Sequence, residues 1–235
     1  MSNDQEFDAK EHFGDKHSTI YDEKIRKVIR GYEEMHDLSY YLLKDNLGPK
    51  ASILVSGIGT GHEAITYATK QDEWHITGVD PTPEMIQSTK KRIKQLNLEN
   101  RIETIEGTVE KITKTNFDAA TSILVMQFLK DNGDKEQYLK NISKKLKSGA
   151  KIIIIDLEGN KNSREFKMLL SAWKCHQFSS REDKEQIIKD FNHVESDLQF
   201  VPEDRIKELL ELAGFKNICK FYKSYLFGGY IAEMA

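Results

Sequence analysis

Three alternating glycines follow directly on an apolar run near residue 55. The run Ile53–Val55 leads to Gly57, Gly59 and Gly61, and residues 62–70 carry apolar side chains at helical spacing. Glycine can take a positive φ and lets a ligand approach the backbone closely. A strand, a glycine turn and a helix N-terminus also present free N–H groups to a carboxylate or another anion. This stretch predicts a ligand site at the carboxyl end of a parallel sheet.

A carboxylate at the end of the second apolar run narrows the choice of ligand. Residues 74–79 are mostly apolar and are followed by Asp80. An acid at the tip of the second strand can accept both hydrogen bonds of a ribose diol. The turn reads G-x-G-x-G, with His62 in the place of the third dinucleotide glycine, and no G-x-x-x-x-G-K-[ST] sequence occurs. The pattern therefore indicates a ligand with a ribose, bound by a turn that is not shaped for pyrophosphate.

With these motifs the chain resembles the class I S-adenosylmethionine (SAM)-dependent methyltransferases. The matching segments are V-S-G-I-G-T-G (55–61), G-V-D-P-T-P-E-M-I (78–86), E-G-T (106–108) and L-K-S-G-A-K-I-I-I-I-D (146–156). The N- and C-terminal segments are similar to the carboxy-SAM synthase branch of these enzymes. The resemblance implies SAM as the cofactor and methyl transfer as the reaction.

The resemblance also implies which residues contact the cofactor. Two positions depart from the family pattern: Val55 replaces an acid that helps to hold the amino group of SAM, and Thr108 replaces an acid that binds the adenine amino group. Tyr32 matches a tyrosine that touches SAM in the carboxy-SAM synthase branch, although Arg26 and Tyr32 could instead only pack a surface helix. The implied cofactor-binding residues are Ser56, Gly57, Gly59, Gly61, Asp80, Pro81, Met85, Gly107, Thr108, Val109, Leu124, Tyr32 and Arg26.

The sequence contains no convincing catalytic base. Gln127 lies where the family faces the methyl group, and an amide can orient a substrate but does not titrate at useful pH. Tyr21 and His176 are further candidates by location only, with packing or surface roles as the alternative. In-line displacement at a sulfonium carbon has a neutral leaving group, so positioning and exclusion of water are the main requirements. The seven histidines have no matching cysteine or carboxylate spacing, and we expect no metal site.

Composition limits the partners and the compartment. Charged residues make up 31% of the 235 residues, with both signs mixed and a formal net charge of −3. This balance argues against nucleic acid or anionic membrane as a partner. Two isolated cysteines, no secretory signal and no apolar run of about eighteen residues predict a soluble cytoplasmic protein. The expected partner is a small-molecule acceptor, and the sequence leaves a homodimer open.

The elements predict an α/β, Rossmann-like fold. We expect a seven-stranded, mostly parallel sheet with an antiparallel edge strand, helices on both faces and an N-terminal helical lid. Residues 21–43 should be helical with a break near Gly31, and the fourth strand should cover residues 117–125. The predicted single domain divides into a lid (1–45), a SAM-binding core (50–158), a helical substrate-side cover (159–200) and a closing helix with strands (201–235).

The predicted function is transfer of a methyl group from SAM to an oxygen, nitrogen, sulfur or carbon nucleophile of a small molecule. An RNA-modifying methyltransferase of the same fold is one alternative, which the lack of a basic tail argues against. A non-catalytic SAM-binding protein is another, motivated by the missing acids at Val55 and Thr108. A nicotinamide-dependent oxidoreductase is a weak alternative because His62 stands where that fingerprint needs glycine.

Overall fold

The computed structural model describes residues 15–235, with side chains described from residue 21 onward. The first fourteen residues of the predicted lid segment lie outside this range. The helices are α1 (Asp15–Val28), α2 (Tyr32–Asn46), α3 (His62–Lys70), α4 (Pro83–Gln95), α5 (Asp134–Ser143), α6 (Arg164–Ser180), α7 (Lys184–Ser196) and α8 (Glu203–Leu212). The strands are β1 (Ala51–Ser56), β2 (Trp74–Asp80), β3 (Ile102–Glu106), β4 (Phe117–Ile123), β5 (Leu146–Leu157), β6 (Phe215–Ser224) and β7 (Phe227–Met234).

All seven strands form one sheet, in the order β3-β2-β1-β4-β5-β7-β6. The first five strands of this chain run parallel, whereas β7 pairs antiparallel with both β5 and β6. Strand β7 is thus inserted beside β5, and β6 forms the edge. The predicted fold class, a mostly parallel Rossmann-like sheet with antiparallel pairing at its end, is confirmed.

Both faces of the sheet are covered, which explains why its central strands are apolar throughout. Along β5, Ile153 and Ile155 belong to one apolar cluster and Ile152 and Ile154 to the other. The first cluster includes side chains from α2, α3, α6 and α7, and the second includes side chains from α5 and α8. Alternate residues of one strand therefore serve two separate cores.

The fourth strand ends earlier than the sequence predicts. It stops at Ile123 because Leu124 adopts φ 61°, a left-handed conformation that breaks the strand geometry. The N–H of Leu124 donates to the carbonyl of Ile155 at 2.7 Å, which fixes this turn against β5. The prediction that the strand continues to Val125 is wrong for this reason. The chain leaves the sheet at the edge where β1 and β2 also end.

The predicted helical break near Gly31 is present, since Gly31 has φ 77° between α1 and α2. The turn is held from the far end of the sequence. The Tyr222 hydroxyl donates to the carbonyl of Arg30 at 2.9 Å, and Trp173 Nε1 donates to the carbonyl of Val28 at 2.9 Å. Helix α1 is therefore fixed by groups from β6 and α6.

Candidate active site

The glycine turn after β1 is bound to the neighbouring strand. The N–H groups of Gly57 and Ile58 both donate to the carbonyl of Val79, at 2.8 and 3.0 Å. A Cβ on Gly57 would lie 2.3 Å from Val125 Cγ2, so no larger residue fits there. At Gly59 the backbone has φ 53° and a Cβ would meet no protein atom within 4 Å. The turn thus leaves open space beside Gly59, where a ligand can approach the main chain.

Asp80 joins the end of β2 to this turn. Its Oδ2 accepts the N–H of Gly59 at 3.0 Å, and its Oδ1 accepts the N–H of Thr82 at 2.9 Å. Burial raises the pKa of Asp80, while these hydrogen bonds act to lower it. The Thr82 hydroxyl is a third donor to this carboxylate, and an ionised carboxylate has about four acceptor sites, so it can still accept a hydroxyl group of a ligand. The geometry suits a ribose hydroxyl.

A cavity of about 580 Å³, here the main cavity, opens over these strand ends. It brings together most of the residues implied in cofactor binding, and Tyr21 reaches it from α1. The predicted residues in its lining are Ser56, Gly57, Gly59, Asp80, Pro81, Met85, Gly107, Thr108, Val109, Leu124 and Tyr21. Gly61 is not in this lining; it has φ 83° and precedes α3, with a Cβ position 2.8 Å from Thr89 Cγ2.

One wall of the main cavity was not foreseen from the sequence. Tyr138 and Asn141 of α5 contribute to it, together with Glu110. The Tyr138 hydroxyl donates to Ser56 Oγ at 2.8 Å and lies 2.7 Å from Ser122 Oγ. Helical spacing marks Tyr138 only as an inward-facing residue, and the sequence gives no sign of the serine partners at the ends of β1 and β4.

Glu110 provides a carboxylate close to the position where the family acid is replaced by Thr108. Asn141 Nδ2 donates to Glu110 Oε1. The Thr108 hydroxyl lowers the pKa of Glu110, burial acts against it, and Asn141 adds to the lowering. The cavity wall therefore keeps an ionised acid and an amide side by side, two residues beyond Thr108.

Helix α1 meets the glycine turn through one carboxylate. Thr60 Oγ1 donates to Asp22 Oδ1 at 2.5 Å, and Arg92 Nη1 donates to Asp22 Oδ2 at 2.7 Å. Burial, and then the charges of Asp22 and Asp80, raise the pKa of Tyr21. Tyr21 therefore keeps its phenolic proton and lines the cavity as a neutral donor rather than as a base.

A smaller cavity of about 130 Å³, here the side cavity, adjoins the main cavity. Tyr21, Leu124 and Phe128 line both of them. Gln127 lines only the side cavity, is 8% exposed, and its Oε1 accepts no hydrogen bond from the described residues. The candidate Gln127 thus lies next to the main cavity with a buried acceptor atom.

The turn that contains Gln127 lies beside a buried acid of β5. Asp156 Oδ1 accepts the N–H of Leu157 at 2.9 Å, and the carbonyl of Gln127 accepts the N–H of Gln199 at 2.8 Å. The buried Lys135 ammonium donates to the carbonyl of Met126. Burial raises the pKa of Asp156 to about 6, while the charge of Lys135 and then the backbone N–H of Leu157 act to lower it. The short 3₁₀ turn Met126–Phe128 is therefore held in place through its backbone carbonyl groups.

Besides Gly61, three candidates lie outside both cavities. Arg26, Tyr32 and His176 line a separate cavity of about 530 Å³ between the α1–α2 turn, α6 and β6. Arg26 Nη2 lies 3.3 Å from His62 Nδ1, and the Tyr32 and His62 ring centres are 5.6 Å apart. Arg26 and Tyr32 thus contact the first residue of α3, just beyond the glycine turn.

Glu63, in the first turn of α3, is a buried acid that the sequence analysis did not single out. It is 6% exposed, and the hydroxyl of Thr121 donates to its Oε1. Burial raises the pKa of Glu63 to about 7. Val55, where the family has its acid, pairs with Thr121 in the parallel register of β1 and β4. The carboxyl group of Glu63 therefore lies beside the position that lost its acid.

The described residues contain neither a candidate metal site nor a candidate membrane span. No group of three or more histidine, cysteine or acidic side chains within residues 21–235 is arranged to hold a metal ion. Over the same part of the chain, no helix has the length and apolar character needed to cross a bilayer.

Sequence comparison finds similarity to known methyltransferase domains and to a SAM-related enzyme. Residues 53–149 match the family model of the methyltransferase domain. Carboxy-S-adenosyl-L-methionine synthase of Campylobacter fetus subsp. fetus (strain 82-40) is 22% identical over 221 residues, which cover 91% of this chain and 90% of that protein. The likeness to this relative therefore extends well beyond the matched domain.

Solved structures show the same fold. The apo form of the S-adenosylmethionine-dependent methyltransferase SibL aligns with a TM-score of 0.60 at 14% identity, over 87% of this chain and 57% of that chain. This chain thus spans little more than half the length of SibL. Geranyl diphosphate C-methyltransferase from Streptomyces coelicolor A3(2), solved with Mg²⁺, geranyl diphosphate and S-adenosyl-L-homocysteine, aligns with a TM-score of 0.61 at 10% identity, over 86% and 80% of the two chains.

The matched domain contains the glycine turn, Asp80 and the E-G-T segment, all of which border the main cavity. The sheet has an antiparallel β7 inserted beside β5. The similarity to the synthase covers 91% of this chain. Residues 53–149 thus match a methyltransferase domain, and along most of its length the chain is similar in sequence or fold to enzymes that use S-adenosylmethionine.

Proposed function

We propose that this enzyme transfers the methyl group of SAM to a small-molecule acceptor, and that the main cavity binds the cofactor. The observation that carries this proposal is the contact between Asp80 and Gly59 in the lining of that cavity. A carboxylate that can still accept a hydrogen bond faces a turn whose backbone is open to a ligand. This combination suits a ribose joined to an amino-acid tail.

The proposal gives each part of the lining a task. Asp80 accepts hydrogen bonds from the ribose, and Gly57 and Gly59 let the amino-acid tail lie against the backbone. The adenine then lies between the segment 81–85 and the segment 107–109. The remaining residues proposed to contact the cofactor are Ser56 and Leu124.

When bound, SAM supplies a methyl group on positively charged sulfur, and its transfer leaves neutral S-adenosylhomocysteine while the acceptor releases a proton. The task of this chain is then to position the acceptor and keep water out. Tyr21 of α1 covers the cavity, so helices α1 and α2 serve as a lid. Residues 159–200 serve as the substrate-side cover, since Trp173 and Val194 from this segment line the side cavity.

The volume of the side cavity favours a small acceptor over a nucleic acid. At about 130 Å³ it has room for one small molecule beside Leu124 and Phe128. Its walls include Trp173, which is 1% exposed. A small, largely apolar space of this kind does not provide the long basic groove that would follow a phosphate backbone.

Calorimetry with S-adenosylhomocysteine tests the cofactor site. We expect Asp80→Ala to weaken binding by about tenfold or more, because the ribose hydroxyls lose a charged acceptor. The exposed Asp45→Ala is the matched control and should bind as the parent does. Equal affinity of the Asp80→Ala protein and the parent would place the nucleoside elsewhere and overturn the proposal.

A transfer assay with methyl-labelled SAM and a panel of phenols, amines and thiols then tests catalysis. Label in at least one acceptor is the expected result. Binding of S-adenosylhomocysteine with no transfer to any acceptor would instead favour a protein that binds SAM without catalysis. RNA is included in the same panel. Label in RNA alone would favour an RNA-modifying methyltransferase of the same fold.

A further inference from the structure

The side cavity contains a polar atom that its apolar surroundings do not satisfy. Gln127 is more than nine-tenths buried, and its Oε1 accepts no hydrogen bond from the described residues. Buried acceptors in folded proteins nearly always have a partner, because leaving one unpaired costs free energy. The position of Gln127 is also fixed, since its backbone carbonyl accepts the N–H of Gln199 at 2.8 Å. A rigid, buried, unpaired amide oxygen in a cavity wall is the arrangement expected for recognition of a donor group.

The rest of the cavity wall sets the size and polarity of the molecule that would supply this donor. Trp173, Leu157 and Phe227 line the cavity, and each is at most 3% exposed. The volume of about 130 Å³ is close to that of engineered apolar cavities of about 150 Å³ that bind benzene. The space therefore fits one six-membered ring or a branched group of similar size.

The charged groups in this wall are already paired with other side chains. Lys24 Nζ lies 2.8 Å from Asp190 Oδ1, and Arg181 Nη2 donates to Asp190 Oδ2 at 2.8 Å. Although burial acts to raise it, these contacts and one from Gln186 hold the pKa of Asp190 below its usual range. His193 Nδ1 is likewise 2.7 Å from Asp197 Oδ2. A charged acceptor would have to compete with these pairs, so the wall favours a neutral one.

We propose that the side cavity binds the methyl acceptor, and that the acceptor is a neutral, ring-sized apolar molecule whose O–H or N–H group donates to Gln127 Oε1. This inference rests on the proposed function, because it assumes that the cofactor fills the main cavity. Leu124 and Phe128 line both cavities, so the donor end of the acceptor lies at the boundary between them. Gln127 is then a specificity-determining residue that orients the reacting group without titrating.

Binding of simple probes tests the inference apart from activity. Phenol and toluene have the same shape, but only phenol can donate a hydrogen bond. Their dissociation constants are measured by ligand-observed NMR on protein saturated with S-adenosylhomocysteine, in the parent and in Gln127→Met. We expect saturable phenol binding in the parent, and a preference for phenol over toluene that falls by about tenfold or more in Gln127→Met.

Matched variants exclude indirect effects. Gln127→Leu repeats the test with a second apolar side chain in case Gln127→Met folds poorly. Gln95→Leu removes an exposed amide at the end of α4 and should keep the preference of the parent. Trp173→Leu should weaken both probes alike, because the apolar wall serves both of them.

Specific results would overturn the inference. A preference for phenol that is unchanged in both Gln127 variants would show that the amide oxygen does not recognise the donor. Benzoate binding more tightly than phenol would show that the site takes an anion. Failure of both probes to bind while S-adenosylhomocysteine still binds would reject this acceptor class and leave the proposed cofactor site intact.

Discussion

Asp22 and Thr60 connect the N-terminal helix to the glycine turn across 38 residues of sequence, with a hydroxyl–carboxylate distance of 2.5 Å. The second oxygen of Asp22 accepts Arg92 Nη1 at 2.7 Å, so one carboxylate joins α1, the turn and α4. Tyr21, the adjacent residue, lines the main cavity. The placement of Tyr21 over the cavity therefore depends on the contacts of Asp22.

Replacing Asp22 by alanine should release α1 without damaging the sheet. We expect a loss of about tenfold in affinity for S-adenosylhomocysteine, because a partly buried, charge-assisted contact is worth about 1.5–3 kcal/mol. Calorimetry gives the affinity, and hydrogen exchange over residues 15–28 gives the opening of the helix. Glu23→Ala, an exposed acid on the same helix, is the control. Unchanged exchange in Asp22→Ala would show that other contacts hold α1.

Alanine at Gly59 should separate folding from binding. Gly59 has φ 53° and open space at its Cβ position, and Gly149 has φ 78° and equally open space far from the cavity. Each substitution should cost about 1–2 kcal/mol of unfolding free energy, since both force alanine into the left-handed region. Only Gly59→Ala should also lose affinity for S-adenosylhomocysteine, because its methyl group projects into the cavity. Equal affinities of the two variants would argue against close approach of the ligand at Gly59.

Glu63 should make the stability of the fold depend on pH. Its pKa rises from 4.5 to about 7 through burial, so the folded chain binds a proton that the unfolded chain releases. This contribution is fully present below pH 4.5 and is lost as the pH rises to about 7. At about 1.4 kcal/mol for each tenfold change in proton affinity, the loss is on the order of 3 kcal/mol.

Glu63→Gln keeps the acceptor for Thr121 and removes the titration. Urea unfolding at pH 5 and pH 8 should show a smaller decrease in stability for this variant than for the parent. The exposed Glu99→Gln should retain the decrease of the parent. If Glu63→Gln loses as much stability as the parent between these pH values, the carboxyl group is not held protonated in the fold.

Asp156 should be important for stability because of the groups that it satisfies. Alanine there would leave the backbone N–H of Leu157 without its acceptor and the buried Lys135 without the charge of Asp156. We expect a loss of about 3 kcal/mol or more in unfolding free energy. Adding Lys135→Met to Asp156→Ala should recover about 1 kcal/mol, measured by urea unfolding. The exposed Asp72→Ala is the control, and a double variant no more stable than Asp156→Ala would mean that the two charges are uncoupled.

The part of the candidate site formed by the turns after β1 and β2 was predictable from the sequence. Alternating glycines after an apolar run, and an acid after the next run, are local signals, and both lie in the lining of the main cavity. The order of apolar runs and helices likewise predicted the sheet. Local spacing is informative here because parallel strands of a wound sheet bring their carboxyl ends to one edge.

The parts that depend on distant contacts could not be read in this way. Arg26 and Tyr32 were matched to a cofactor-binding segment, yet they line a different cavity because Tyr222 and Trp173 fix the α1–α2 turn. His176 faces that same cavity. Such contacts join residues more than 140 positions apart and have no periodic signal.

The buried acid Glu63 was missed for a related reason. A charged residue in the first turn of a helix normally indicates an exposed position beside the helix dipole. Here the hydroxyl of Thr121 takes the place of water, and that pairing requires β4 to lie beside β1. Only the assembled sheet reveals it.

The hydrogen bond from Tyr222 to Arg30 also has a consequence for synthesis on the ribosome. The N-terminal helices emerge first, but their anchor is nearly the last part of the chain to be translated. The glycine turn, Asp80 and the parallel strands can assemble while Tyr222 is still inside the exit tunnel. The helices beside the main cavity are therefore anchored last, and a nascent chain stalled before β6 would lack this anchor.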